Sequence, residues 1–125
     1  MSPHQPVSPR ASVLIVDESD ECRDVLSTLL ERRGVSTFQA RGARQGLDLM
    51  RQHCPDVVVL DIDSGAATDE GVCRQYDLQS RDGETALVIL GIARPPAMRP
   101  RSGHIIAKPY HYAPLIRKIE ELLQR

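Results

Sequence analysis

The chain has 125 residues, 41% of them hydrophobic and 26% charged, and its formal net charge is −1. That length suits one domain and leaves little room for a second, and the composition is too apolar for a disordered chain. The near-neutral charge gives no general pull toward nucleic acid or an anionic membrane, and no apolar run approaches the roughly 20 residues that a bilayer span requires.

Residues 1–10, MSPHQPVSPR, are rich in Pro and Ser and lack the apolar core of a signal peptide. They are expected to form a flexible tail ahead of one domain over residues 11–125, in a soluble, cytoplasmic protein. Residues 11–16 are an apolar, β-branched run without alternation, which suits a strand buried on both faces of a parallel sheet. Asp17, Glu18, Ser19 and Asp20 follow, and Ser19 or Asp20 can cap a helix. Cys22, Val25, Leu26, Leu29 and Leu30 then recur at helical spacing until Gly34. Residues 35–40 read as a second strand carrying the single Phe. Residues 43–53 read as a helix striped by Leu47, Leu49 and Met50, which Pro55 stops.

A second buried run, Val57 to Leu60, ends in Asp61, and residues 62–69 are small and polar like a loop. A helix is expected over about 69–80, its face marked by Val72, Cys73, Tyr76 and Leu78. Residues 86–90 and 105–107 supply two more apolar strands, the latter followed by Lys108-Pro109. The last helix shows Leu115, Ile116, Ile119, Leu122 and Leu123 on one side. Cys22, Cys54 and Cys73 lack CxxC spacing and read as reduced, mostly buried thiols. Strands alternating with helices predict an α/β fold, a doubly wound parallel sheet between helical layers.

Such a sheet gathers its ligands at the carboxyl ends of the strands. The residues placed there are Asp17 and Glu18, Asp61, Gly91 and Lys108. Three converging carboxylates repel one another, and Mg²⁺, a hard cation that keeps several waters, relieves that repulsion. Asp61 is the candidate nucleophile, forming an acyl phosphate. Glu18 is the first choice for direct metal ligation, Asp17 touches the metal or its waters, and Lys108 holds a phosphoryl oxygen. Any one of these residues alone is more often a cap or a turn. Their order along one sheet edge gives the set its meaning.

The segments Val13-Leu14-Ile15-Val16-Asp17-Glu18, Pro55-Asp56-Val57-Val58-Val59-Leu60-Asp61 and Ala107-Lys108-Pro109-Tyr110 resemble the signature segments of response-regulator receiver domains. The resemblance runs from about residue 12 to 123. It implies a flavodoxin-like (βα)5 fold with five parallel strands and a cis Lys108–Pro109 bond. It further implies an Asp61 phosphoacceptor, with Mg²⁺ held by the Glu18 and Asp61 side chains and the Asp63 carbonyl. The phosphoryl donor it implies is a histidine kinase or a His-containing phosphotransfer protein. A stand-alone receiver of this kind, monomer or weak dimer and not itself an enzyme, signals by contact with an effector protein that the sequence does not identify. Neither nucleic acid nor membrane is expected as a partner.

Four departures from that family pattern stand out. Gly91 occupies the place of the usual Thr or Ser hydroxyl, and Ile105 that of the switch aromatic. Residues 92–103, IARPPAMRPRSG, fall where the family has its fourth helix, and three prolines at about 3 kcal/mol each predict that this helix is reduced or missing. Asp63, in a loop lacking the usual proline, ligates through its side chain or points to water. The expectation is a domain that accepts phosphate without switching the conventional face. Two rivals remain: a phosphorylation-independent pseudo-receiver that serves as a binding module, and a haloacid-dehalogenase-type phosphatase using Asp61 and Asp63.

Overall fold

Each strand of the sheet is placed by its own stretch of β-branched and leucine side chains. The computed structural model describes residues 11–61, 70–91 and 103–124. Ser12–Val16 (β1) and Val57–Asp61 (β3) are buried along their whole length, and Ala86–Gly91 (β4) past its first residue. Runs this apolar leave no polar face for water, so they occupy the middle of the sheet. Ser36–Ala40 (β2), with three polar residues, and Gly103–Ala107 (β5), with Gly103 and His104 at its start, form its edges. The order is β2-β1-β3-β4-β5, with every neighbouring pair parallel. The doubly wound, flavodoxin-like sheet expected from the sequence is the one observed.

Helices cover both faces because successive strand residues point to opposite sides. Leu14, Val16, Val58, Leu60, Leu87 and Ile89 pack with Leu47 and Met50 of Ala43–His53 (α2) and Tyr76 of Glu70–Gly83 (α3). Val13, Ile15, Val57, Val59, Val88 and Leu90 pack with Leu26 and Leu30 of Asp20–Glu31 (α1) and with Leu115 and Ile119 of Tyr112–Leu123 (α4). Of the two candidate caps for α1, Ser19 is the one used: its Oγ accepts from the Cys22 amide at 3.2 Å. The chain turns after α1 through Gly34, whose φ of +83° suits a residue without Cβ.

Several expectations need correction. The α3 helix runs to Gly83, beyond residue 80, and its inward marker is the fully buried Tyr76, whereas Leu78 is 45% exposed. Positions two residues apart on a helix point about 200° apart, so Leu78 cannot share the Tyr76 face. The two described thiols are not core groups either. Cys54 is exposed at the end of α2 and Cys22 is half-buried at the start of α1, because both sit at helix ends and not on sheet-facing stripes. Ile105, at the place of the family's switch aromatic, is 45% exposed on the edge strand β5. Three expectations lie outside the described residues: the tail over residues 1–10, the loop over 62–69 with Asp63, and the loss of a helix over 92–102. The side chains of Val72 and Cys73 are likewise undescribed.

Candidate functional site

In the order β2-β1-β3 the chain leaves β1 for one edge and returns to β3 on the other side, so the connections after β1 and β3 diverge and open a cleft. Asp17 stands at its rim immediately after β1, and its amide donates to the Ala40 carbonyl at 3.0 Å, continuing the ladder toward β2. Its Oδ1 accepts from the Ser19 amide at 2.9 Å. Asp61 is the last residue of β3, and only 5% of it is exposed. Lys108 follows β5 directly. Its amide donates to the Gly91 carbonyl at 3.2 Å, and its Nζ donates to Asp61 Oδ2 at 2.7 Å. The Lys108–Pro109 bond is cis, as the family resemblance implied.

These three side chains make an asymmetric electrostatic site. Burial raises the Asp17 carboxyl above the usual carboxylate range, and the neighbouring Asp61 charge pushes it further, against the pull of the Ser19 amide and Lys108. A cleft of about 590 Å³ is lined by Asp17, Asp61 and Lys108 on one side and by Cys22, Tyr110 and Tyr112 on another. The two tyrosine rings meet edge to face, with centroids 5.8 Å apart. Burial raises both phenols, and a hydrogen bond with Cys22 adds to the effect at Tyr112, so each stays protonated at neutral pH.

The residues singled out from sequence are thus partly assembled. Asp17, Asp61 and Lys108 share one cleft. Glu18 follows Asp17 on the loop and is exposed, whereas Asp17 and Asp61 are both buried. Among the described residues no group of three or more His, Cys, Asp or Glu forms a ready-made metal cage. Two buried carboxylates facing a single ammonium still fit a hard divalent cation that keeps several waters. Gly91 is buried at the end of β4 and offers only backbone, Ile105 lies away on exposed β5, and Asp63 is outside the described residues. Sequence reasoning missed the wall formed by Cys22 and Tyr112. The helical spacing puts Cys22 in the apolar stripe of α1, but its place in the first turn after the Ser19 cap brings it beside the loop. Tyr112, two residues before Pro114, follows no apolar strand and so gives no such signal in the sequence.

The family model for the response regulator receiver domain matches residues 13–120. The transcriptional regulatory protein YxdJ of Bacillus subtilis is 30% identical over 122 residues, covering 90% of this chain and 50% of that protein. The response regulator MprA of Mycolicibacterium vanbaalenii is 32% identical over 113 residues, covering 90% and 47% respectively. The chain therefore spans half or less of the length of these curated relatives. Among solved structures, a CheY-like response regulator receiver domain protein from Methanospirillum hungatei superposes with a TM-score of 0.76 at 25% identity, over 91% of this chain and 94% of that one.

Proposed function

Because the chain belongs to the response regulator receiver family of two-component signalling, we propose that it accepts a phosphoryl group on Asp61 and signals through protein contacts. The observation that carries this reading is the 2.7 Å pairing of Lys108 Nζ with Asp61 Oδ2, beside buried Asp17 at the end of two adjacent strands. An Asp61 oxygen attacks the phosphorus of a phosphohistidine, the P–N bond breaks with its electron pair leaving on the imidazole, and an acyl phosphate results. Lys108 Nζ is placed to pass from the Asp61 carboxylate to a phosphoryl oxygen as charge moves there. Asp17 and Asp61, joined by Glu18 and the Asp63 carbonyl, would hold Mg²⁺. When bound, that ion supplies neutralising charge to the phosphoryl oxygens.

The donor in this reading is a histidine kinase or a His-containing phosphotransfer protein. The output is recognition by an effector protein, with neither nucleic acid nor membrane as ligand, by a cytoplasmic monomer or weak dimer folded over residues 11–125. Among the described residues no helix is long and apolar enough to cross a membrane. Gly91 has no hydroxyl to follow the phosphoryl group and Ile105 no aromatic ring to swing, so the phosphorylated state is read by other means than the exchange of those two side chains.

Incubation with acetyl phosphate and Mg²⁺ followed by intact mass spectrometry tests the proposal. One added phosphoryl group is expected on the native chain and none on Asp61→Asn. Lys108→Met should form the adduct roughly a hundredfold more slowly, the usual loss of one well-placed transition-state donor. A native chain that takes no phosphoryl group from acetyl phosphate or from phosphohistidine donors would instead support the phosphorylation-independent binding module.

A further inference from the structure

Outside the cleft, the most unusual ionisable group is Arg23. It lies on the second turn of α1 and is only 7% exposed, although arginine is among the residues least often buried. A buried guanidinium is tolerated where its donors are used. Here each arm of the fork meets a different part of the fold. Nη1 donates to the Asp17 backbone carbonyl at 2.5 Å, Nε donates to Gln39 Oε1 of β2 at 3.1 Å, and Nη2 pairs with the Asp20 carboxylate. Asp20 is tied in turn to Arg41 at 3.5 Å. One side chain therefore joins the first turn of α1, the end of β2 and the loop that carries the acids.

Asp17 is the residue this joint holds. Its amide is fixed by Ala40, its Oδ1 by the Ser19 amide and its carbonyl by Arg23. With those three atoms engaged, the peptide on either side of Asp17 has little freedom, and the carboxyl is left turned toward Asp61 in the cleft. Ala40 and Ser19 act through backbone, so their contributions do not depend on side-chain identity. Arg23 is the member of the clamp that the sequence chooses.

We propose that Arg23 is a positioning residue for the metal-binding acids: its grip on the Asp17 carbonyl sets the geometry of the Asp17-Glu18 turn and thereby the affinity for Mg²⁺. The inference rests on the acid site proposed above and goes beyond it, since Arg23 touches neither metal nor phosphoryl group. Partners that orient metal ligands typically account for ten- to hundredfold in affinity. Lysine in this place supplies a point charge that can reach one of the three partners and not bridge them.

The test is Mg²⁺ titration by isothermal calorimetry of the native chain, Arg23→Met, Arg23→Lys and Gln39→Met, with the thermal midpoint of each metal-free protein measured alongside. Arg23→Met should weaken Mg²⁺ binding about tenfold, and Arg23→Lys should fall between it and the native chain. Gln39→Met, which removes one anchor of the fork, should weaken binding by a smaller factor. Amide exchange at Glu18 and Ser19 should quicken in Arg23→Lys, while the core amides of β1 and β3 keep their protection. If the native chain binds Mg²⁺ and the Arg23→Lys and Gln39→Met variants bind it with native affinity, the positioning role is overturned while the acid site stands. If the native chain does not bind Mg²⁺, the acid site itself falls, and this inference with it.

Discussion

Asp17 is a carboxylate buried against a second carboxylate, and that arrangement costs folding energy unless a cation is present. Its raised pKa expresses this, with burial as the first cause and Asp61 as the next charge to oppose it. A carboxyl whose folded pKa lies above its unfolded one favours folding most when protonated, and this contribution is lost as pH rises through the folded pKa. Asp17→Asn keeps an oxygen for the Ser19 amide and removes the charge. In the presence of a chelator it should be more stable than the native chain by about 1 kcal/mol at pH 7, the ordinary scale of a single substitution. That advantage should shrink toward zero as pH falls and Asp17 protonates. Chemical denaturation at several pH values checks both statements, and equal stabilities at pH 7 would refute them. Asp17, Asp61 and Lys108 were legible in the sequence because each directly follows or ends a strand that its apolar run makes unmistakable. Arg23, Cys22 and Tyr112 were not, because their roles depend on how one helix turn and one loop fold back over the rim.

Between elements, the closest fit described is at Gly46 of α2. A methyl group there would lie 2.6 Å from Val16 Cγ2 of β1 and closer still to the Tyr76 hydroxyl of α3, which donates to the Ala43 carbonyl. Three elements thus meet where only a hydrogen fits. Alanine is the better helix former by about 1 kcal/mol, but overpacking of this kind typically costs about 1–3 kcal/mol. Packing should win, and Gly46→Ala should lower the thermal midpoint by several degrees. The paired change Gly46→Ala/Val16→Ala should be less harmful than the two losses summed, because the second substitution removes both valine methyls that the first one strikes. Strict additivity in that cycle would mean that the elements adjust without strain. This contact also shows why α3 was the least legible helix. Among the described residues its inward face is carried by Tyr76 and Ser80, at 0% and 2% exposure, and the small, polar Ser80 gives no apolar signal. The strands needed no such partner, since a run like Val57 to Leu60 announces burial by itself.

For the whole molecule, the two packed faces of the sheet and the cleft at its end are separable sources of stability. The core clusters on either face consist of hydrophobic residues, whereas the cleft gathers the buried carboxylates Asp17 and Asp61. Mg²⁺ should therefore stabilise the fold by mass action without altering how much surface unfolding exposes. Each tenfold excess above its dissociation constant then adds about 1.4 kcal/mol, or roughly 5 °C in a domain of this size. The denaturant midpoint should move with Mg²⁺ while the slope of the transition stays constant, because that slope follows exposed area. Asp61→Asn should abolish the Mg²⁺ dependence and leave the metal-free transition as cooperative as before. A slope that changed with Mg²⁺ would mean that the ion completes the core and does not merely occupy an already formed cleft, and the strand-end acids would then belong to the folding of the sheet as well as to its chemistry.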